Sequence, residues 1–462
     1  MSDEGLRAAQ EKMAAARINQ PAIDVFTAYY RQLEQGVTGV IAEDSIEPLT
    51  DPDLLADVPV DQERARAALA DTVMIKLNGG LGTSMGMEQA KSLLPVRDGR
   101  TFLDLIVAQV QAARSTYGVK LPLMFMDSFR THDDTLAALA RYDDLVVDGL
   151  DLDFVQSQEP KLRSDDLTPV EWPADPSLEW CPPGHGDLYT SLAASGVLDR
   201  LLALGYRYAS VSNSDNLGAA PNATIAGWFA ASGAPYAAEV CRRTAADRKG
   251  GHLAIRKADR QLILRDTART AKEEMSYFTD ENRHPYFHTN NLWFDLQALA
   301  RTLAERNAVL GLPMIKNVKT VDPSDPSSPE VVQIESAMGA AVEVFPGATA
   351  IGVGRERFLP VKTTNDLLVL RSDVYAVGEH GHLVQQDAGA PLVDLDPRFY
   401  KTIAEFEQRF AAGAPSLREA TRLTVRGDRT FEAGVAVIGD VTLEDAGEPR
   451  TVPAQTVLTT SS

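Results

Sequence analysis

An apolar run that ends in a glycine loop is the feature that most constrains the fold of this chain. Residues 71–77 read DTVMIKL, and the loop NGGLGTSMG that follows holds four glycines in eight positions. Glycine lets the backbone approach a ligand closely, and the amides of a tight turn bind anions without a charged side chain. A buried strand followed by such a loop is typical of α/β proteins. The pattern therefore predicts a phosphate-binding loop directly after a central strand.

Helical and strand patterns alternate along much of the chain. Two helices are predicted within residues 3–36, and further helical patterns lie at 101–116, 131–142, 186–205 and 222–232. Apolar strands that are bracketed by helices indicate a mostly parallel sheet with helices on both faces. The runs at 236–242, 251–257 and 261–266 are interpreted as antiparallel strands of an insertion near the ligand cleft.

After about residue 385 the helical patterns fade, and short β runs between glycines predict a small β region in the form of a partial β-helix. The predicted fold class is therefore α/β: a mixed, mostly parallel sheet flanked by helices, with a helical N-terminal segment and a small C-terminal β domain. A chain of 462 residues is too long for one ordinary core. We predict a helical segment at 1–70, a catalytic domain at 71–384 and the β domain at 385–462.

The charge balance excludes several classes of partner. The formal net charge is −20, so nonspecific nucleic-acid binding and attachment to an anionic membrane surface are disfavoured. The two cysteines are far apart and lack metal-site spacing, the amino terminus lacks a signal-peptide pattern, and no apolar run is long enough for a membrane span. We therefore expect a cytoplasmic protein with no nucleic-acid or membrane partner.

Two known phosphate loops do not match this one. A P-loop requires GxxxxGK[ST], and no glycine of the loop is followed by lysine. The dinucleotide fingerprint GxGxxG fails because Met85 stands where the third glycine is required and Gly86 comes one residue late. A dehydrogenase is disfavoured for that reason. What remains is a glycine loop with Lys91 close behind it, an arrangement suited to a triphosphate.

A series of motifs in one order carries a family resemblance. KLNGGLGTSMG followed by AKSLLPVRDGRTFLDL resembles the signature loop of the eukaryotic-type UTP–glucose-1-phosphate uridylyltransferases, also called UDP-glucose pyrophosphorylases. The similarity recurs in MDSF, FVQSQEPKL, WCPPGHGDLY, VSNSDNLGA, KGGHL, HTNNLWFDL, QIESAMGAAVEVF and RERFLPVKTTNDLLVLRSDVY. It covers residues 70–375 and, more loosely, both ends. The resemblance implies a nucleotide-diphosphosugar transferase-like fold, which agrees with the pattern of elements.

The resemblance also implies a reaction. A phosphate oxygen of glucose 1-phosphate attacks the α-phosphorus of UTP in line, pyrophosphate leaves, and UDP-glucose forms without a protein nucleophile. Because both reactants are anionic, catalysis depends on alignment and on charge neutralisation by lysines and Mg²⁺. The expected partners are therefore UTP and glucose 1-phosphate, and association into homo-oligomers through the C-terminal β domain is left open.

Site residues follow from the same resemblance, motif by motif. It implies Lys91 and Lys362 as catalytic cations and Asp215 as a magnesium ligand. Asp187 is interpreted as a cap of the helix that follows it. The implied nucleotide contacts are Leu77, Asn78, Gly79, Gly80, Lys91, Gln156, Gly184, Asp215 and Lys362. The implied sugar-phosphate contacts are His185, Asn213, Gly250, Gly251, Asn290 and Asn291.

Other functions stay open at this point. The same chemistry on another sugar would make the chain a UDP-N-acetylhexosamine or broad-specificity UDP-sugar pyrophosphorylase, although Asn78 at the start of the loop favours the glucose enzyme. A covalent-histidine uridylyltransferase would need His-Pro-His, and HPYFH at 284–288 has the wrong spacing. A catalytically inactive nucleotide-sugar-binding protein is the alternative from another class, and Lys91, Asp215 and Lys362 together argue against it.

Overall fold

The computed structural model describes residues 2–244, 247, 250–386 and 389–460. Its helices are α1 Ser2–Ala15, α2 Gln20–Glu34, α3 Gln62–Ala70, α4 Phe102–Tyr117, α5 His132–Leu139, α6 Leu188–Ala194, α7 Val197–Ala203, α8 Ala223–Ser232, α9 Met275–Phe278, α10 Leu296–Glu305, α11 Thr364–Arg371, α12 Pro397–Tyr400 and α13 Ile403–Arg409. None of these helices is long and apolar enough to cross a membrane.

The first half of the chain contributes the strands β1 Ile46–Pro48, β2 Asp53–Leu54, β3 Thr72–Leu77, β4 Pro95–Arg97, β5 Arg100–Thr101, β6 Leu123–Asp127, β7 Asp153–Val155, β8 Glu159–Pro160, β9 Leu162–Arg163, β10 Trp180–Cys181 and β11 Tyr208–Asn213. The second half contributes β12 Tyr236–Arg242, β13 His252–Arg256, β14 Leu262–Arg265, β15 Tyr286–Asp295, β16 Met314–Thr320, β17 Glu330–Ser336, β18 Thr349–Val353, β19 Tyr375–Val377, β20 Leu383–Gln385, β21 Leu392–Leu395, β22 Ser416–Val425, β23 Arg429–Phe431, β24 Ala436–Leu443, β25 Arg450–Val452 and β26 Val457–Leu458.

A central mixed sheet organises the molecule. Its order is β2-β18-β12-β15-β11-β3-β6-β7, and β15 runs antiparallel to both of its neighbours while the other pairs are parallel. The hairpin β13–β14 is attached through β15, and β1 pairs with β13. The predicted fold class, a mostly parallel sheet flanked by helices, is confirmed.

The sheet is covered on both faces, which explains its continuous apolar strands. Alternate residues of a strand point to opposite faces. In β3, Val73, Ile75 and Leu77 belong to one buried cluster and Met74 to the other. Every residue of β3 is buried, so the strand places the glycine loop on a rigid support.

Three local predictions are corrected by the structure. The run at 236–242 is β12 of the central sheet, lying between β15 and β18, and is not part of an insertion. The predicted helix at 186–205 is two helices, α6 and α7, because Gly196 adopts a φ of 73° between them. Helices also continue beyond residue 385, since α12 and α13 precede the C-terminal strands.

The C-terminal β region is a stack of parallel strands, as expected of a partial β-helix. Four strands pair in the order β21-β22-β24-β26, and β23 pairs in parallel with β25. The division of the chain at residues 70 and 384 stays a prediction.

Candidate active site

An open cavity of about 430 Å³ lies at the carboxyl ends of β3, β6 and β11, the edge where open α/β sheets bind ligands. It brings residues of five of the quoted motifs together. The predicted site residues that line it are Leu77, Gly79, Gly80, Lys91, Gln156, Gly184, His185, Asn213 and Asp215. We call this cavity the cleft.

The glycine loop lines the cleft and contains a series of tight turns. Gly82 and Gly86 adopt φ values of 67° and 71°, and the Lys91 amide donates to the Gly80 carbonyl at 3.0 Å. A Cβ on Gly79 would lie 2.5 Å from Gln156 Nε2. Glycine at position 79 is therefore what allows the Gln156 amide to approach the loop.

Asn78 does not line the cleft, although it was predicted to contact the nucleotide. Its backbone N–H donates to the Met126 carbonyl, and its side chain is buried. The side-chain amide donates to Asp127 Oδ1 and Thr135 Oγ1 at 2.8 and 2.9 Å and accepts from Ser214 Oγ. Asn78 thus fastens the base of the loop to the ends of β6 and β11.

Lys91 and Asp215 meet at one point of the cleft. Lys91 Nζ donates to Asp215 Oδ2 at 2.5 Å and also to the Val361 carbonyl. Both side chains retain some exposure, 16% and 17%. The second carboxylate oxygen, Asp215 Oδ1, is buried and has no hydrogen-bond partner among the described residues. The cleft therefore contains a lysine and a carboxylate that are paired with each other, and one oxygen of this carboxylate has no partner in the described part of the chain.

Gly184 and His185 also line the cleft. Gly184 has a φ of 78°, and a Cβ there would lie 2.5 Å from the Ser336 carbonyl oxygen. His185 Nδ1 accepts the Met338 N–H at 2.9 Å, so its proton resides on Nε2. Burial lowers the pKa of His185 to about 4, and the ring is neutral near pH 7. His185 can therefore donate a hydrogen bond but supplies no charge.

Asp187 joins two walls of the cleft instead of capping the following helix, as had been predicted. It makes no side-chain cap bond to α6. Its Oδ2 accepts the Ser157 N–H at 2.6 Å and the Ser191 hydroxyl at 2.5 Å. Burial raises the pKa of Asp187 to about 6. This contact ties the segment that follows Gln156 to the loop that carries Gly184.

Lys362 lies beside the cleft with an exposed side chain and is not among the lining residues. Its backbone is nevertheless fixed. The N–H groups of Lys362 and Thr363 both donate to Asp366 Oδ2 at 2.8 Å, and the preceding Val361 N–H donates to the Asp215 carbonyl at 3.3 Å. These bonds hold the backbone of Lys362 close to that of Asp215.

The predicted sugar contacts lie further along the sheet. Between Ala238 and Val240, β12 pairs successively with Leu292 and His288, so β15 bulges around Asn290. Asn290 has a φ of 61°, which is uncommon for a residue other than glycine. Asn291 is buried, and its amide donates to Glu239 Oε2 and the Arg357 carbonyl. Bulges of this kind often redirect side chains beside active sites.

The loop at Gly250 and Gly251 reaches the same bulge through backbone bonds. The Gly251 carbonyl accepts the His288 N–H at 2.9 Å, and the Gly250 carbonyl accepts a bond from the Arg243 guanidinium. Neither glycine, nor Asn290 or Asn291, lines the cleft. Nine of the predicted nucleotide and phosphate contacts therefore line the cleft, whereas Asn78, Lys362 and the four sugar candidates do not.

Three polar lining residues, Thr83, Ser84 and Ser214, were not among the predicted contacts. The sequence could have indicated them only through their position inside the motifs KLNGGLGTSMG and VSNSDNLGA. His284 and His288, the histidines of HPYFH, are both buried, and His284 Nε2 contacts Glu43. Neither histidine lines the cleft.

Comparison with known proteins gives a consistent result. A model of the family described as UTP–glucose-1-phosphate uridylyltransferase matches residues 23–437. The potato (Solanum tuberosum) protein of that name is 40% identical over 396 residues, covering 85% of this chain and 80% of the potato protein. The barley (Hordeum vulgare) protein of the same name is 38% identical over 464 residues, covering 98% and 95%.

Solved structures show the same similarity. A UDP-glucose phosphorylase from Trypanosoma brucei superposes with a TM-score of 0.92 at 42% identity, covering 99% of this chain and 98% of that one. A mutant UDP-glucose pyrophosphorylase from Leishmania major, solved in complex with UDP-glucose, gives a TM-score of 0.92 at 42% identity, with 98% of both chains covered.

Proposed function

The chain belongs to the UTP–glucose-1-phosphate uridylyltransferase family and makes UDP-glucose from UTP and glucose 1-phosphate, and we propose that it does so by one in-line displacement in the cleft. The observation that supports this is the meeting of the glycine loop, Gln156, Lys91, His185 and Asp215 around one cavity. An oxygen of the sugar phosphate bonds to the α-phosphorus, the bond from that phosphorus to the bridging oxygen breaks, and pyrophosphate leaves.

The uracil end of UTP is proposed to lie between Gly79 and Gly184. A side chain at either position would collide with Gln156 Nε2 or with the Ser336 carbonyl, so both glycines keep the slot open. The Gln156 amide lines the slot and suits uracil, because it can accept from N3–H and donate to a ring carbonyl at once. The free amides of the glycine loop would then face the phosphates.

Asp215 is proposed to hold Mg²⁺. Its buried Oδ1, with no partner in the described part of the chain, is the hard oxygen ligand that this cation prefers. The described residues contain no group of three or more metal-ligating side chains, and Mg²⁺ bound to phosphates commonly needs only one or two protein carboxylates. When bound, Mg²⁺ neutralises phosphate charge.

The lysines and His185 have different proposed tasks. Lys91, already held at Asp215, would contact the triphosphate, and Lys362 would meet the charge that develops on the α-phosphate. The neutral His185 would donate from Nε2 to an oxygen of the sugar phosphate. Preorganised donors of this kind lower the barrier because they need no reorganisation during the reaction.

The sugar is proposed to bind near the bulge of β15. Asn290, with its φ of 61°, is placed there together with Asn291, Gly250 and Gly251. Because Asn291 is already bonded to Glu239, its contribution would be to hold the bulge instead of contacting the hexose with a free amide. The residues near this bulge would therefore determine which sugar 1-phosphates the enzyme accepts.

The stereochemistry at phosphorus tests the mechanism. UTP whose α-phosphorus is made chiral by sulfur should give UDP-glucose with inverted configuration, since a single displacement inverts the centre. Retention would mean two displacements through a covalent enzyme intermediate. Exchange of labelled pyrophosphate into UTP should require the sugar phosphate, and exchange in its absence would also contradict the proposal.

The substrate range is tested by pyrophosphate release in parallel reactions. We expect strong release with UTP, glucose 1-phosphate and Mg²⁺, and weak release when the sugar is galactose 1-phosphate or N-acetylglucosamine 1-phosphate. Equal rates with the other sugars would favour a broad-specificity enzyme. The cytoplasmic location and association into oligomers remain predictions.

A further inference from the structure

The loop that carries Asp215 is held from below by two buried side chains, Lys76 and Arg357. We define the Asp215 loop as residues 214–220, which follow β11. Lys76 Nζ donates to the Ala219 carbonyl at 2.7 Å, and Arg357 Nη1 donates to the next carbonyl, that of Ala220, also at 2.7 Å. Two successive carbonyls of one loop are therefore fixed by side chains from two different parts of the chain.

Lys76 ties both ends of the Asp215 loop to β3. It stands opposite Ser212 in the parallel ladder of β3 and β11, and its Nζ also donates to Ser212 Oγ at 2.8 Å. The side chain is 1% exposed. A polar amine in such a place is costly to bury. A methionine of similar length would fill the space more cheaply, so the amine has a task that filling space does not explain.

Arg357 is itself held rigidly by Glu239 of β12. The guanidinium makes two bonds to this carboxylate, Nε to Oε2 at 2.9 Å and Nη2 to Oε1 at 2.6 Å. Glu239 is fully buried and also accepts from Trp293 Nε1 and from Asn291. Planar, bidentate pairing of this kind fixes direction as well as charge.

The other side of the Asp215 loop packs against the turn that leads to Lys362. Asn216 donates to the Arg357 carbonyl at 3.2 Å and accepts the Leu359 N–H at 2.8 Å. A Cβ on Gly218 would lie 2.4 Å from the Glu356 carbonyl oxygen, so no space separates the two segments. The position of Asp215 and that of the Lys362 turn are therefore set by one buried network.

We propose that Lys76 and Arg357 are positioning residues for the known reaction, acting through the Asp215 loop to place its carboxylate where Mg²⁺ and the UTP phosphates bind. The inference rests on the proposed metal role of Asp215. Neither side chain touches the cleft. Residues that orient a metal ligand from behind typically contribute about 10–100-fold in affinity or activity.

The test is the factor by which Mg²⁺ tightens UTP binding. UTP is titrated calorimetrically into the full-length protein, once with Mg²⁺ and once with EDTA. The readout is the Kd for UTP in EDTA divided by the Kd for UTP in Mg²⁺. The variants are Lys76→Met, Arg357→Lys and Asp215→Asn. Arg409→Lys serves as the matched control, because Arg409 makes a partly buried ion pair with Asp428 at 2.8 Å in the C-terminal region. Thermal melts are recorded to test whether each variant is folded.

We expect the ratio to fall about 10–100-fold in Lys76→Met and Arg357→Lys while Arg409→Lys keeps the wild-type ratio. If Arg357→Lys does not fold, the result for Lys76→Met alone tests the proposal, since this variant replaces a buried polar amine by an apolar side chain of similar length. A ratio that is lost in Asp215→Asn but kept in Lys76→Met overturns the positioning role alone. A wild-type ratio in Asp215→Asn overturns the metal role of Asp215, and the inference with it.

Discussion

Substitution by alanine should lower the stability of the protein at one glycine of the cleft and leave it nearly unchanged at another. Gly184 has a φ of 78°, and its Cβ would lie 2.5 Å from a backbone oxygen, so Gly184→Ala should lower the free energy of unfolding by about 1–3 kcal/mol. Gly80 has no described heavy atom within 4 Å of its Cβ position. Gly80→Ala should therefore leave stability within about 0.5 kcal/mol of wild type.

Gly80→Ala should weaken UTP binding although it leaves folding stability nearly unchanged. Its exposed backbone faces the proposed phosphates, so a methyl group there should raise the KM for UTP at least about tenfold, a loss of about 1.4 kcal/mol. Urea denaturation and steady-state kinetics on both variants provide the measurements. A Gly80→Ala enzyme with normal KM would show that the loop does not approach the triphosphate.

Lys362 is exposed, so its removal should affect chemistry and not folding. Lys362→Ala should lower kcat by about 10²–10³, the usual cost of losing one preorganised donor, with an unchanged melting temperature. Lys120→Ala is the control, because Lys120 is also exposed but lies just before β6 at the opposite edge of the sheet. Near-normal turnover in Lys362→Ala would remove this lysine from the mechanism.

Asp127, at the end of β6, should make stability depend on pH. Burial raises the pKa of its carboxyl to about 7, although bonds from Asn78 and Thr135 oppose the rise. Between about pH 4 and 7 the folded protein therefore keeps a proton that the unfolded chain releases. The stabilisation from this group is fully present below about pH 4 and is lost as the pH rises through 7.

Asp127→Asn removes this titration. Unfolding free energies of wild type and variant should diverge with pH, the wild type losing stability relative to the variant by up to about 1.4 kcal/mol per pH unit between 4 and 7. Urea denaturation at half-unit steps of pH measures this. Parallel profiles would mean that Asp127 is ionised throughout.

At the residue scale, the sequence motifs predicted which segments come together at the cleft, but they did not predict which side chains point into it. Lys91, Asp215 and Gly184 stand in separate stretches of the sequence, and all line the cleft, because each follows a strand or precedes a helix at one edge of the sheet. Asn78 and Asn291 stand in equally clear motifs yet are buried in polar networks. Whether the side-chain amide of such a residue points into the cleft or into the protein depends on its hydrogen-bond partners. These partners, such as Asp127 for Asn78 and Glu239 for Asn291, come from distant segments and cannot be recognised from the spacing of a motif.

At the element scale, a helix cap fixes the Lys362 turn. Helix α11 begins with a capping box in which Asp366 Oδ2 accepts the N–H groups of Lys362 and Thr363. Asp366→Ala should cost about 1 kcal/mol of stability and should also lower kcat, because the Lys362 backbone is released. Differential scanning calorimetry and turnover at saturating substrate give the two values.

The capping box of α4 supplies the control. Asp104 closes a box with Thr101 and in addition contacts Arg141 and Tyr142, so Asp104→Ala should destabilise at least as much as Asp366→Ala. We expect its kcat to stay near the wild-type value. Equal losses of kcat in both variants would show that general destabilisation, and not the Lys362 turn, explains the effect.

Helices and parallel strands were predictable because their periods and end signals are local. Helix α2, for example, has Pro21 in its first turn and an apolar face, and it forms as expected. The partners of β12 were not predictable, because an apolar run fits a central strand and an insertion equally well. The break between α6 and α7 depends on Gly196, a residue that helices tolerate elsewhere at modest cost.

At the scale of the whole molecule, one buried core crosses the predicted boundary at residue 384. The cluster that contains Phe102 and Leu367 also contains Leu395, Phe406 and Leu423. Polar contacts cross the boundary as well: the Thr364 hydroxyl donates to the Tyr400 carbonyl at 2.6 Å, and the Ser416 hydroxyl donates to Asp373 Oδ2 at 2.6 Å. Composition and periodicity could suggest the β region but not this shared core.

A chain that ends at residue 384 should therefore not keep the stability of the full protein. Each large apolar side chain that loses its cover costs about 1.5–3 kcal/mol, and the net stability of a domain is only about 5–15 kcal/mol. We expect the full chain to unfold in one calorimetric transition and the shortened chain to melt at a markedly lower temperature and bind a hydrophobic dye. A shortened chain that melts cooperatively at the wild-type temperature would instead show that residues 1–384 fold independently of the C-terminal region. In that case the C-terminal strands would be an appendage to the cleft and not part of the core that supports it.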